Sequence, residues 1–103
     1  MTAEPQMTHN AAESRYELHV GGQLAAFAEY RPAGDALMLS HTETREGYEG
    51  QGLASRLIGE VLDTLKAEGR GVLPMCPFVA RYMREHREYA ELVQPAQRAV
   101  FGL

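Results

Sequence analysis

One stretch limits what this chain can fold into: Tyr48-Glu49-Gly50-Gln51-Gly52-Leu53-Ala54-Ser55-Arg56-Leu57 and the helix it opens. From Leu53 onward, Leu53, Leu57, Ile58, Val61, Leu62 and Leu65 recur at helical spacing, so one helix face is buried. None of Glu49, Gly50, Gln51 and Gly52 is the Ser, Thr, Asp or Asn that usually caps a helix start. The first-turn amides are left without an obvious side-chain acceptor, and the helix dipole places positive potential over them. Glycines at 50 and 52 let a ligand come close to the backbone. Such a combination suits a phosphate or diphosphate group. A plain turn leading into a core helix would read the same way, so the loop alone does not decide the matter.

The length of 103 residues allows one domain with one small core, and the 45% hydrophobic content is enough to fill it. A formal net charge of −4 gives no basic field for nucleic acid or an anionic membrane surface. No apolar run approaches membrane-spanning length, and the N-terminus lacks a signal-peptide core. The single cysteine excludes an internal disulfide framework and fits a reducing cytoplasm.

Along the chain, residues 1–12 carry little apolar content and read as a disordered leader. Arg15–Val20 alternates, with Tyr16, Leu18 and Val20 on one face, and reads as a strand with one wetted side. Gly21-Gly22 makes a hairpin turn into a second strand over Gln23–Arg31, where Leu24, Ala26, Ala28 and Tyr30 share a face. Pro32-Ala33-Gly34-Asp35 supplies the next bend, and Ala36–Glu43 a third strand. The helix after the glycine loop runs to about Glu68, with Gly69 and Gly71 marking its end. Val72–Met75 fits a short buried parallel strand. Pro77 is placed for the first position of a second helix over Phe78–Glu85, with Phe78, Val79, Tyr82 and Met83 facing inwards. Tyr89–Val93 reads as a turn or short strand, Gln94-Pro95 breaks it, and residues 95–103 read as a frayed tail. The expected fold is α/β (α+β), in the order β-β-β-α-β-α: an antiparallel meander, then one right-handed β-α-β crossover and a second helix, occupying residues 13–94.

Glu49-Gly50-Gln51-Gly52-Leu53-Ala54, at a strand-to-helix junction, resembles the Gln/Arg-x-x-Gly-x-Gly/Ala signature of the GNAT superfamily of acyl-CoA-dependent N-acetyltransferases. A closer resemblance is to a short branch of it, the small N-acetyltransferase domain-containing proteins of about 100 residues. Ser40-His41-Thr42-Glu43, Gly50–Ser55, Pro74–Ala80 and Glu88-Tyr89 carry the likeness, from residue 15 to about 93. One position departs: Glu49 stands where the family usually has Gln or Arg, an acidic side chain near a diphosphate site. Because such a cradle is built from backbone amides, this departure bears on affinity more than on fold.

The resemblance implies that the amides of Gly50, Gln51, Gly52, Leu53, Ala54 and Ser55 hold the diphosphate of acetyl-CoA or coenzyme A. Arg56 would add charge to a phosphate oxygen or simply be a solvated helix arginine. It also implies two splayed parallel strands, here Leu37–Thr42 and Val72–Met75, whose ends at His41-Thr42 and Met75-Cys76 flank the thioester, with Thr42 on the cofactor side.

Cys76, before Pro77 at a helix start, has three open roles: acyl-accepting nucleophile, acid for the departing thiolate, or packing residue. His41 is a candidate base for the incoming ammonium or a partner polarising Cys76, unless it is structural. Tyr82 lies where the superfamily often has a tyrosine that protonates the leaving thiolate; its bland alternative is a core aromatic. His9, His19 and His86 have no paired ligand spacing, and no metal site is expected.

The implied activity is acetyl transfer from acetyl-CoA to an amine, of a protein lysine or a small molecule, by a direct route or through Cys76. A non-catalytic acetyl-CoA or coenzyme A binding module is the alternative. Neither nucleic acid nor a membrane is an expected partner, and a monomer or weak dimer is the expected state.

Overall fold

Alternating apolar residues resolve into a single five-stranded sheet in the computed structural model, which describes residues 4–103. Its strands are β1 (Gln6–Asn10), β2 (Arg15–Val20), β3 (Gln23–Ala33), β4 (Ala36–Thr44) and β5 (Gly71–Pro74), side by side in chain order. The first four pair antiparallel; β5 joins β4 in parallel, reached through helix α1 (Leu53–Ala67). After β5 come α2 (Pro77–Glu85), a 3₁₀ segment over Arg87–Leu92 and the short helix α3 (Pro95–Arg98). The meander followed by one β-α-β crossover agrees with the expected α/β fold.

Helix α1 explains why this sheet closes a core. Leu53, Leu57, Ile58, Val61, Leu62 and Leu65 are all buried, against Leu18, Ala26 and Ala28 of the meander and Leu37, Leu39 and Val72 of the parallel pair. Val79 and Met83 complete the cluster from α2. Truncating one of these leucines to alanine costs roughly 2–5 kcal/mol, a large share of the stability of a chain this small. At the far end of α1 the chain leaves through Gly69, at φ +69°, whose N–H donates to Lys66 O as a left-handed cap requires.

Four local expectations are corrected. Part of the supposed leader, Gln6–Asn10, is the edge strand β1, held by the ladder to β2 and by side chains. Asn10 Nδ2 donates to Glu17 Oε2 at 2.8 Å, and the His9 ring stacks on Tyr16 with centroids 4.4 Å apart. Second, β3 continues through Pro32 and Ala33, so the bend contracts to Gly34-Asp35, with Gly34 at φ +63°. Third, Phe78 and Met75 are 38% and 55% exposed rather than buried. Starting α2 at Pro77 turns Val79, Ala80 and Met83 inwards and leaves Phe78 on the outer side. Fourth, the C-terminal residues are helical turns: Arg98 Nε donates to Val93 O at 2.8 Å, and Phe101 and Leu103 pack against the core.

Candidate functional site

The loop between β4 and α1 is built to present main-chain N–H groups. Arg45 N donates to Ala25 O at 2.7 Å, and Tyr48 Oη donates to Gln23 Oε1 at 3.3 Å, so the loop is pinned to β3. Gly50 and Gly52 then take φ of +76° and +71°, left-handed values that favour glycine, and Gly52 is the N-cap of α1. No side chain caps the helix and no acidic residue stands in its first turn. Among the described residues, the first α1 amide with a main-chain acceptor is that of Arg56, which donates to Gly52 O at 3.1 Å. The amides of Leu53, Ala54 and Ser55 have no main-chain acceptor among the described residues. A Cβ placed on Gly50 or Gly52 would meet nothing within 4 Å, so the space over the cradle is open. Bare backbone, positive dipole end and free space together fit a diphosphate.

Glu49 and Arg56 need separate accounting. The Glu49 carboxylate folds back to accept from Tyr48 N at 3.0 Å, which fixes its direction locally. Arg56, half exposed, faces Glu60 Oε2 at 3.5 Å and Glu4 Oε2 at 3.4 Å, so an incoming phosphate would compete with two carboxylates for it.

Beside the cradle the sheet opens into a notch. The β4–β5 ladder covers only Ala36–Leu39 and Gly71–Pro74. Cys76 N adds one last bond to Leu39 O at 2.9 Å. Beyond it β4 runs on to Thr44 with β3 on one side, and among the described residues no strand pairs with its other side. The opening lies past the carboxyl end of β5, where open α/β sheets take ligands.

An irregular step in the β3–β4 ladder, between Glu29 and Tyr30, decides which side chains share that notch. Ala28 pairs with Thr42 and is buried beneath the helices, so Thr42 points to the helix side. The Cys76 thiol is on the same side, 6% exposed, with Sγ donating to Thr42 Oγ1 at 3.6 Å. His41 pairs with Glu29, and Glu43 with Phe27, on the opposite face. There His41 Nε2 lies 3.3 Å from Glu43 Oε1, and its ring centroid is 6.2 Å from that of Phe27. Thr42 and Cys76 are therefore brought together, while His41 is separated from Cys76 by the sheet.

Tyr82 goes elsewhere. A Cβ on Gly59 would lie 2.7 Å from its hydroxyl, so the phenol sits against α1, about 10 Å along the helix from the Gly52 cap by the 1.5 Å rise per residue. Its ring stacks on His86 with centroids 3.9 Å apart. Burial, helped by Asp63 and Glu88, raises its pKa. Two participants went unread in the sequence: Glu43 as the partner of His41, although an i, i+2 spacing on a strand puts both on one face, and Gly59 as the seat of Tyr82. Among the described residues no helix is long and apolar enough to cross a membrane.

A family model described as GCN5-related N-acetyl-transferase matches residues 15–92. No curated protein matches the chain. The matched span begins with β2 and ends with the 3₁₀ segment after α2, so it takes in the cradle and both strands of the notch. Sheet order, glycine-capped helix and matched span agree: the chain belongs to the GCN5-related N-acetyltransferase family.

Proposed function

We propose that this protein is an acyl-CoA-dependent N-acetyltransferase that moves an acetyl group from acetyl-CoA to an amine acceptor. The observation that carries the proposal is the run of first-turn amides without acceptors, opened by Gly50 and Gly52 beside a notch in the sheet. The amides of Gly50, Gln51, Gly52, Leu53, Ala54 and Ser55 hold the diphosphate, and the pantetheine arm enters between β4 and β5.

Acetyl-CoA supplies the acyl group as an activated thioester. The acceptor approaches from the open face of the sheet, where the His41 imidazole takes the proton of its ammonium group and the Glu43 carboxylate stabilises the cation formed. The neutral nitrogen then bonds to the acyl carbon to give an oxyanion, which collapses as the carbon–sulfur bond breaks. The proton the nitrogen sheds in becoming an amide passes to solvent. On the helix side, the Cys76 thiol and Thr42 hydroxyl are the protic groups facing the departing thiolate, and solvent restores the proton. Main-chain N–H groups on the unpaired side of β4 are the donors for the oxyanion. This division of labour favours direct transfer. A Cys76 acyl-enzyme needs a base for the thiol, and His41 is across the sheet.

Titration calorimetry with acetyl-CoA tests the site. Saturable binding is expected in the wild type, and none in Gly52→Asp, which places a carboxylate in the cradle. Absence of heat and saturation in the wild type would sink the proposal. Release of free thiol with a panel of amines tests turnover. Tight binding without release would support instead a non-catalytic coenzyme A module, a reading motivated by Glu49 in place of the family's Gln or Arg.

A further inference from the structure

A groove runs away from the cradle along α2. Phe78, Arg81, Tyr82 and Glu85 stand at i, i+3, i+4 and i+7, on one stripe of that helix, and face Ser55 in the first turn of α1. Together they enclose about 220 Å³. Whole drug-sized ligands occupy cavities of roughly 300–1,000 Å³, so this one takes a single ring system with a substituent. It is continuous with the cradle, because Ser55 both lines it and carries a free main-chain amide.

Its chemistry is an aromatic face beside a cation. Phe78 is one of the exposed large hydrophobics and follows Pro77 at the mouth of the notch. Arg81 has a side chain 74% exposed, and Glu85 Oε2, at 3.4 Å from its Nε, is its ion-pair partner. A surface i, i+4 pair of this kind contributes only about 0.3–0.5 kcal/mol, so an incoming dianion can replace it. Arg56, the neighbouring cation on α1, is already faced by Glu60 and Glu4.

We propose that this groove receives the nucleotide half of the coenzyme, with Phe78 against the adenine ring and Arg81 paired with the ribose 3′-phosphate, so that Arg81 distinguishes coenzyme A from its dephospho form. The inference rests on the coenzyme reading above and adds to it which residues read the far end of the ligand. With the diphosphate on the α1 amides and the pantetheine arm in the notch, the stripe on α2 is an adjoining surface that offers both a flat apolar ring and a positive charge. Arginine suits a terminal phosphate because its planar fork donates two parallel hydrogen bonds.

Calorimetric affinities for coenzyme A and 3′-dephospho-coenzyme A decide it, without reliance on turnover. The wild type is expected to prefer coenzyme A by roughly 3- to 10-fold, an exposed charge-assisted contact, with the preference shrinking as salt rises. Arg81→Gln should bring coenzyme A to the affinity of the dephospho form and leave the latter unchanged. Glu85→Gln, which removes the competing carboxylate, should widen the preference. Phe78→Ala should weaken both ligands by a similar factor. Equal binding of the two coenzymes by the wild type, or an Arg81→Gln loss shared by both, overturns the proposal and leaves the coenzyme reading standing. Failure of both to bind overturns the coenzyme reading and the groove with it.

Discussion

His41 shows how a single inserted step redirects chemistry. Strict alternation from Leu37 and Leu39 puts residue 41 on the core side, the side of Cys76. The irregularity opposite Glu29/Tyr30 shifts the alternation by one, so Thr42 takes the inner side and His41 the outer. A bulge depends on cross-strand register, which local sequence pattern does not encode. The candidate residues could therefore be named from the sequence, while their distribution over the two faces of the sheet could not. The separation has a kinetic consequence. His41→Gln should lower kcat by about 10²–10⁴-fold, as loss of a general base does. Cys76→Ala should cost far less than His41→Gln, because the Thr42 hydroxyl and solvent remain as proton donors to the departing thiolate. Mixing the wild type with acetyl-CoA and no acceptor should leave its intact mass unchanged; a stoichiometric acetylated species lost in Cys76→Ala would overturn the direct route.

At the level of elements, α1 was readable because its six buried residues follow one helical stripe and its start lacks a capping side chain. The edge strand β1 was not. Gln6-Met7-Thr8-His9-Asn10 holds a single apolar residue, and its stability comes from side chains on other strands: the Asn10 bond to Glu17 and the contacts of His9 with Tyr16 and Tyr30. The α1–α2 packing hides a similar dependence. Gly59 lies inside a helix, where alanine would ordinarily be favoured by about 0.8–1 kcal/mol. The Tyr82 hydroxyl, 2.7 Å from the place a Cβ would take, opposes that gain. With the hydroxyl removed, the nearest Tyr82 atom is Cζ at 3.6 Å, an ordinary contact. Gly59→Ala should therefore destabilise the wild type by about 1 kcal/mol yet stabilise Tyr82→Phe by about 0.5–1 kcal/mol, a coupling within the usual range for touching residues. Urea melts of the four proteins give the coupling directly; additive effects would show that Tyr82 moves aside freely.

For the whole molecule, the sheet has one face covered by helices and one left open to solvent, and the open face carries a buried charge. Glu17 is 7% exposed, yet its carboxylate is satisfied from three sides: by Asn10 Nδ2 at 2.8 Å, Arg15 Nε at 2.7 Å and His19 Nε2 at 3.4 Å. The Arg15 guanidinium is itself stacked over Phe27, 4.5 Å from the ring centroid, so the charge cluster ties β1, β2 and β3 together. The hydrogen bonds from Asn10 and Arg15 outweigh burial and hold the Glu17 pKa below its ordinary 4.5. Since the folded carboxyl releases its proton at lower pH than the unfolded one, the unfolded state binds more protons in that interval. Stability from Glu17 is then complete at neutral pH, starts to go as pH falls through 4.5, and is lost once pH passes below the folded value. Glu17→Gln keeps the size of the side chain but removes the charge. It should cost about 1–3 kcal/mol at pH 7, the worth of buried charge-assisted hydrogen bonds. The gap between mutant and wild type should close as pH drops below 4.5, because protonation has already made the wild-type side chain neutral. Denaturant unfolding at a series of pH values measures both curves. A constant gap down to the acid limit would mean that Glu17 acts through packing alone, and that the three strands are joined by something other than this charge.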